Sequence, residues 1–162
     1  MLRCRRRFVC FGVFVMIFAS LAVIFSDLEI KKRVIDKQQF IMAAKEAGFE
    51  VTDDTYLFEG VRGLDIALNA SNSDKSLIYQ FYVFDNRDIA EDEFDIFRKT
   101  LDNTFVTKDY SSYVGQNYLV FKMEGAKDYF HLCKVDNTLF YAKSSNEDRL
   151  KVRDFAKDVG YN

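Results

Sequence analysis

The chain has 162 residues, with 23 Lys and Arg against 25 Asp and Glu, three Cys, and neither Pro nor Trp. Setting aside Arg3, Arg5, Arg6 and Arg7 leaves 19 basic against 25 acidic residues, a formal charge of −6, which argues against nucleic acid as a partner because that affinity depends on neutralising phosphates. The absence of Pro excludes a Pro-rich stalk, and Cys133 is the only Cys beyond residue 26, so that part of the chain must fold without an internal disulfide.

Residues 1–7 read as a basic cytoplasmic tail. Residues 8–25 carry no charge, and 18 residues at helical rise reach roughly 27 Å, enough to cross a hydrocarbon core of about 30 Å. The run is therefore expected to be a transmembrane signal anchor, in contact with the bilayer along its length. Ser20-Leu21-Ala22 offers a small-x-small site for a signal peptidase. Cleavage there would leave Val23, Ile24 and Phe25 as an apolar new N-terminus, so the anchor is preferred and a secreted soluble factor is the alternative. Orientation follows the flanking basic residues. The arginines crowd against the run, while Lys31, Lys32, Arg33 and Lys37 follow it. The expected topology is N-terminus inside and the remaining chain outside, at the cell membrane.

Residues 26–33 are a short juxtamembrane linker or a helix continuation, and the S-x-x-E capping box of Ser26 and Glu29 would restart a helix at the membrane surface. Residues 34–162 are expected to form one extracytoplasmic α+β domain. A helix is predicted over residues 34–47, with Phe40, Ala43, Ala44 and Ala47 on one stripe and Gly48 as its left-handed stop. Leu64, Ile66 and Leu68 alternate with polar or small residues, which predicts a half-buried strand over 64–69. After the turn at Ser71 to Asp74, residues 77–84 are apolar on both faces, as a central strand requires. Asp88 and Glu91 form a capping box for a helix with Ala90, Phe94, Phe97 and Leu101 on its stripe.

Residues 104–116 are irregular in pattern. Strands are predicted over 117–123, 129–135 and 139–143, joined by turns at Glu124 to Lys127 and at Asp136-Asn137, which makes an antiparallel meander. A last helix opens at Ser145 and Asp148, carries Val152, Phe155, Ala156 and Val159, and stops at Gly160. The expected architecture is thus α+β: one sheet of about five antiparallel strands packed by about three helices. Two helix ends look alike, Ala44 to Phe49 and Ala156 to Tyr161. A shared glycine stop device explains both more simply than a duplicated half-domain.

His131 and Cys133 are the candidate catalytic pair, since residues two apart on a strand share a face. A nucleophile and its base need direct hydrogen-bond reach and a third orienting group; a free Cys on a strand is more commonly buried packing. Tyr79, Tyr82, Tyr110, Tyr113 and Tyr118 could line a sugar-binding cleft, or fill strands with their hydroxyl tips wet. The acidic residues Asp85, Asp88, Glu91, Asp92, Glu93 and Asp95 lack calcium-loop spacing, because Arg87 takes the third position and Ala90 the sixth. Gly60-Val61-Arg62-Gly63 matches the GXXG loop of an RNA-binding module but, without a basic surface, reads as a turn. Asn69-Ala70-Ser71 is a glycosylation acceptor pattern beside a turn. Enzyme motifs such as G-x-S-x-G, H-E-x-x-H and a phosphate-binding Gly loop are absent, so no cofactor or metal is expected.

The order of basic tail, single span and small α+β domain is similar to that of envelope-tethered bacterial proteins, a likeness of architecture alone. The expected function is a non-catalytic binding or assembly module tethered at the outer face of the membrane, with protein or envelope components as partners. The alternative is a small extracytoplasmic enzyme or sugar-binding domain built on His131, Cys133 and the tyrosines.

Overall fold

The computed structural model describes residues 31–105 and 109–162. The tail expected at 1–7, the span expected at 8–25 and most of the linker expected at 26–33 lie outside the described residues. Among the described residues no helix is long and apolar enough to cross a membrane. Lys31–Asn162 form one compact unit.

That unit is an α+β domain. Its elements are α1 (Lys37–Glu46), β1 (Glu50–Asp53), a 3-10 turn (Thr55–Phe58), β2 (Leu64–Ser71), β3 (Ile78–Phe84), α2 (Arg87–Thr104), β4 (Asp109–Val114), β5 (Tyr118–Glu124), β6 (Asp128–Val135), β7 (Thr138–Ser145) and α3 (Arg149–Asp158). All strands join one antiparallel sheet in the order β1-β2-β3-β7-β6-β5-β4. The expected count of about five strands is corrected to seven among the described residues. The two additions, β1 and β4, are the outer strands of the sheet. β1 has only four residues and β4 is exposed along almost its whole length, so neither carries the apolar alternation that marks a half-buried strand.

Two meanders, β1-β2-β3 and β4-β5-β6-β7, meet where β3 pairs with β7. Cross-strand register puts Phe81 opposite Phe140, Phe140 opposite Cys133 and Cys133 opposite Val120. This row belongs to one face of the sheet, here the A face, which α1 and α3 cover. Phe40 of α1 stacks on Phe81 with ring centroids 5.0 Å apart, and Phe155 of α3 stacks on Tyr79 at 4.3 Å. On the opposite B face, Phe94 and Leu101 of α2 pack with Phe121, Phe130, Leu132 and Leu139. The central strands read as apolar on both faces because both faces are cores.

Helix boundaries follow local hydrogen bonding. Asp36 and Gln39 form a reciprocal capping box, so α1 starts at Lys37 rather than at 34, and residues 31–36 are not helical. α2 is capped by Asn86, whose side chain accepts from the Ile89 amide at 3.0 Å; the start predicted from the Asp88 and Glu91 box falls two residues late, Asp88 lying within the first turn of the helix. At the other ends, Gly48 and Gly160 have φ of 84° and 81°. The Phe49 amide donates to the Ala44 carbonyl at 2.9 Å and the Tyr161 amide to the Ala156 carbonyl at 2.6 Å. Both are the six-to-one bond of a Schellman stop, so the likeness of the two segments is a shared helix terminus.

Candidate binding groove

His131 and Cys133 both point into the A-face core, and both are fully buried. The last described residues seal them over. Tyr161 is itself buried, its hydroxyl is 2.5 Å from the Thr138 hydroxyl, and its carbonyl accepts a 2.8 Å bond from Nε2 of His131. That bond places the proton on Nε2 and leaves Nδ1 as a bare acceptor, for which the described residues supply no partner. Burial holds the imidazole down to about 3, helped by the nearby charge of Lys122. Burial pushes the Cys133 thiol up to about 12. A protonated thiol is a poor nucleophile, and this one packs against Val120 and Phe140 rather than opening on a cavity.

The tyrosines do not form one face. Tyr79 is buried on the A side against Phe155, whereas Tyr82 is buried on the B side with its hydroxyl donating to Oε1 of Gln80 at 2.9 Å. Tyr118 carries Lys32 Nζ at 4.9 Å from its ring centroid. Of the five tyrosines named from the sequence, Tyr110 and Tyr113 are widely exposed, at 67% and 56%. Gly60 and Gly63 take φ of 100° and 65° in the turn before β2. Asn69 sits inside β2 rather than at its end, paired with Thr52 on one side and Gln80 on the other. Among the described residues no group of three or more His, Cys, Asp or Glu is arranged to hold a metal ion.

An open site lies at the β4 end of the A face. Register lines up Asp109, Glu124 and Tyr129 in one cross-strand row and Ser111, Lys122 and His131 in the next. α3 borders these rows with Arg153. The result is a groove of about 330 Å³ lined by Asp109, Tyr110, Ser111, Tyr113, Lys122, Glu124, Tyr129 and Arg153. Neither His131 nor Cys133 reaches it.

Its chemistry is set by three groups. Lys122 Nζ donates to Oδ1 of Asn162 at 2.9 Å and lies 6.0 Å from the centroid of the Tyr113 ring. Burial, and then the charge of Arg153, hold this ammonium below its usual range. Neither Lys122 nor Arg153 forms an ion pair with a carboxylate among the described residues. The third group is the buried Tyr129 hydroxyl, for which the described residues supply no partner and which is pushed up to about 12, by burial first. Glu124, by contrast, is engaged by Arg149 at 3.4 Å. An unpartnered buried hydroxyl costs about 1–3 kcal/mol, and the two neighbouring cations repel each other, with Asp109 lining the same groove but paired with neither among the described residues. An incoming anion with a hydrogen-bond acceptor relieves both.

Sequence reasoning named Tyr110 and Tyr113 but not Lys122, Tyr129 or Arg153. Lys122 was visible as the one charge inside the apolar run of residues 118–123. It gains meaning only with β4 beside it, and β4 was unread.

No protein-family profile matches the chain, and no curated protein matches it in sequence. Among solved structures, the extracellular domain of PknH from Mycobacterium tuberculosis is similar at a TM-score of 0.35 and 11% identity, over 70% of this chain and 79% of that one.

Proposed function

We propose that the chain is a single-pass, membrane-anchored binding module without catalytic activity, working outside the cytoplasm, and that its groove takes an anionic group of an envelope or protein partner. The observation that carries the reading is the pairing of two cations, Lys122 and Arg153, neither of them in an ion pair among the described residues, with the Tyr129 hydroxyl, for which those residues supply no partner, in an open groove that Asp109 and Glu124 also line. The anchor rests on the uncharged run of residues 8–25 behind four arginines.

Two measurements test it. Intact mass of the protein recovered from membranes is expected to include residues 1–22; their loss would make the chain a secreted factor. For the groove, the full chain in detergent micelles is titrated with glucuronate, with inorganic phosphate and with neutral glucose, following amide shifts. Shifts at Tyr129 and Lys122 are expected with the anions and not with glucose. Lys122→Met is expected to weaken the response roughly tenfold, the worth of one charge-assisted hydrogen bond. Equal response to glucose, or none to either anion, rejects the anion-binding role.

A further inference from the structure

β4 is an outer strand, and five of its six residues are exposed, with Val114 at 78%. In an antiparallel pair, residues alternate between those that exchange bonds with the neighbouring strand and those that turn their amide and carbonyl away. The Gly115 amide donates to the Tyr118 carbonyl at 2.9 Å. Counting back by twos along the register, Tyr113, Ser111 and Asp109 face β5, so Tyr110, Ser112 and Val114 present their backbone groups outward. The other outer strand is built differently. β1 has four residues, two of them acidic, and Lys37 bonds Asp53 at 2.6 Å across its end. Short length and charge are the usual protection of an outer strand. β4 carries no Lys, Arg or Pro, and its only charge is Asp109 at its start.

We propose that β4 pairs antiparallel with β4 of a second copy of this chain, about a two-fold axis through Ser112. A two-fold axis normal to the sheet keeps the A face continuous, so paired residue numbers must sum to an even value. Centring on Ser112 is the register that gives every outward residue an outward partner: Tyr110 opposite Val114 of the second copy, and Ser112 opposite Ser112. Centring on Ser111 would leave Val114 beyond the start of the opposing strand. The chosen register sets aromatic against β-branched side chains and opposes no like charges, both favourable across strands.

Each face of the sheet gains from this pairing. On the B face, Tyr110, Val114, Leu119 and Phe121 line a hollow of about 210 Å³ beneath α2. The Tyr110 and Val114 side chains of the second copy lie along its open side. On the A face, Tyr113 of the second copy comes opposite Ser111, so each copy adds an aromatic ring to the rim of the other's groove.

The test uses the full chain in detergent micelles, with its mass read by sedimentation. A dimer is expected for the natural sequence and a monomer for Ser112→Pro, because that amide faces away from β5 and its removal spares the β4–β5 ladder. Should Ser112→Pro fail to fold, crosslinking decides. With Cys4→Ser and Cys10→Ser in place, Ser112→Cys is expected to oxidise to a disulfide dimer, since paired α-carbons lie about 5.5 Å apart. Ser111→Cys is expected not to, its two copies lying about 8 Å apart along the diagonal. A monomeric natural chain, a dimer indifferent to Ser112→Pro, or equal crosslinking from both positions overturns the proposal. The anion titration is read by amide shifts at Lys122 and Tyr129 and the dimer by mass, so failure of the one reading is distinguished from failure of the other.

Discussion

His131 is the only histidine of the chain, so its buried imidazole gives the stability a pH dependence that one substitution can isolate. Its folded pKa, about 3, lies below the ordinary value of 6.5. The unfolded chain therefore takes up a proton that the folded chain refuses. Stability is complete above pH 6.5 and falls as the pH drops from 6.5 towards 3, at up to about 1.4 kcal/mol per pH unit. Between pH 7.5 and 5.0 the loss amounts to about 2 kcal/mol. Urea unfolding at those two pH values is expected to show it in the natural chain and not in His131→Gln, which keeps a donor for the Tyr161 carbonyl. Parallel slopes would mean that the imidazole is protonated in place. Lys134 is the second buried polar residue of consequence. Its side chain is fully buried on the B face, and its ammonium bonds Glu91 of α2 at 2.9 Å. Glu91 is half exposed, so solvent shares in the pair, and Glu91→Gln is expected to cost about 2 kcal/mol rather than the larger figure for a wholly buried pair. Lys134→Met removes the charge and keeps the volume; it is expected to fall within about 1 kcal/mol of the natural chain. In a denaturant double-mutant cycle, adding Glu91→Gln to Lys134→Met should then cost under about 0.5 kcal/mol. The sequence alone does not mark Lys134 as buried, because its partner lies 43 residues away on another element.

The helix termini show what local sequence can specify. A Schellman stop needs one left-handed residue, and Gly supplies it without strain. Gly48 and Gly160 occupy equivalent positions, and a Cβ on Gly48 would meet nothing within 4 Å, while one on Gly160 would approach only the Arg33 carbonyl, at 3.8 Å. Backbone strain is thus the whole cost in both places. Gly48→Ala and Gly160→Ala are each expected to lose about 1 kcal/mol in urea unfolding, equal within about 0.5 kcal/mol. A much larger loss at Gly160 would mean that the docking of Tyr161 over His131 also depends on that turn. These stops, the apolar stripes and the β6–β7 hairpin were legible because each is settled within a few residues. The N-terminal caps were less so. Acceptors compete at a helix start, and Asn86 prevails over Asp88 because β3 already ends at Phe84. The outer strands were not legible at all, since β4 is defined by the backbone of β5 and buries almost none of its own side chains.

At the scale of the whole molecule, antiparallel α+β architecture follows from hairpins and amphipathic helices, whereas the closing of β3 on β7 and the resulting groove depend on pairings between distant parts of the chain. The same holds for the way residues 31–36 join the domain. Asn117 is buried at the turn before β5, where its side-chain amide serves as a second backbone: Oδ1 accepts from the Lys32 amide at 2.9 Å, and Nδ2 donates to the Lys32 carbonyl and to Oδ2 of Asp136, both at 2.9 Å. Lys32 Nζ then donates to the Asn162 carbonyl at 2.5 Å while lying over the ring of Tyr118. Two side chains thereby tie the start of the described unit down, Asn117 to the β5 turn and Lys32 to Asn162. Asn117→Ala removes both bonds to Lys32, worth about 1 kcal/mol each. The Lys32 amide is expected to exchange with solvent at least roughly tenfold faster in that variant. Amides of β6 should speed up only by the change in global stability, because their ladders to β5 and β7 do not involve Asn117. A Lys32 amide as slow as in the natural chain would show that the Lys32 side chain holds this segment by itself. Exchange in Asn117→Ala combined with Lys32→Met would then reveal the release that the single substitution did not.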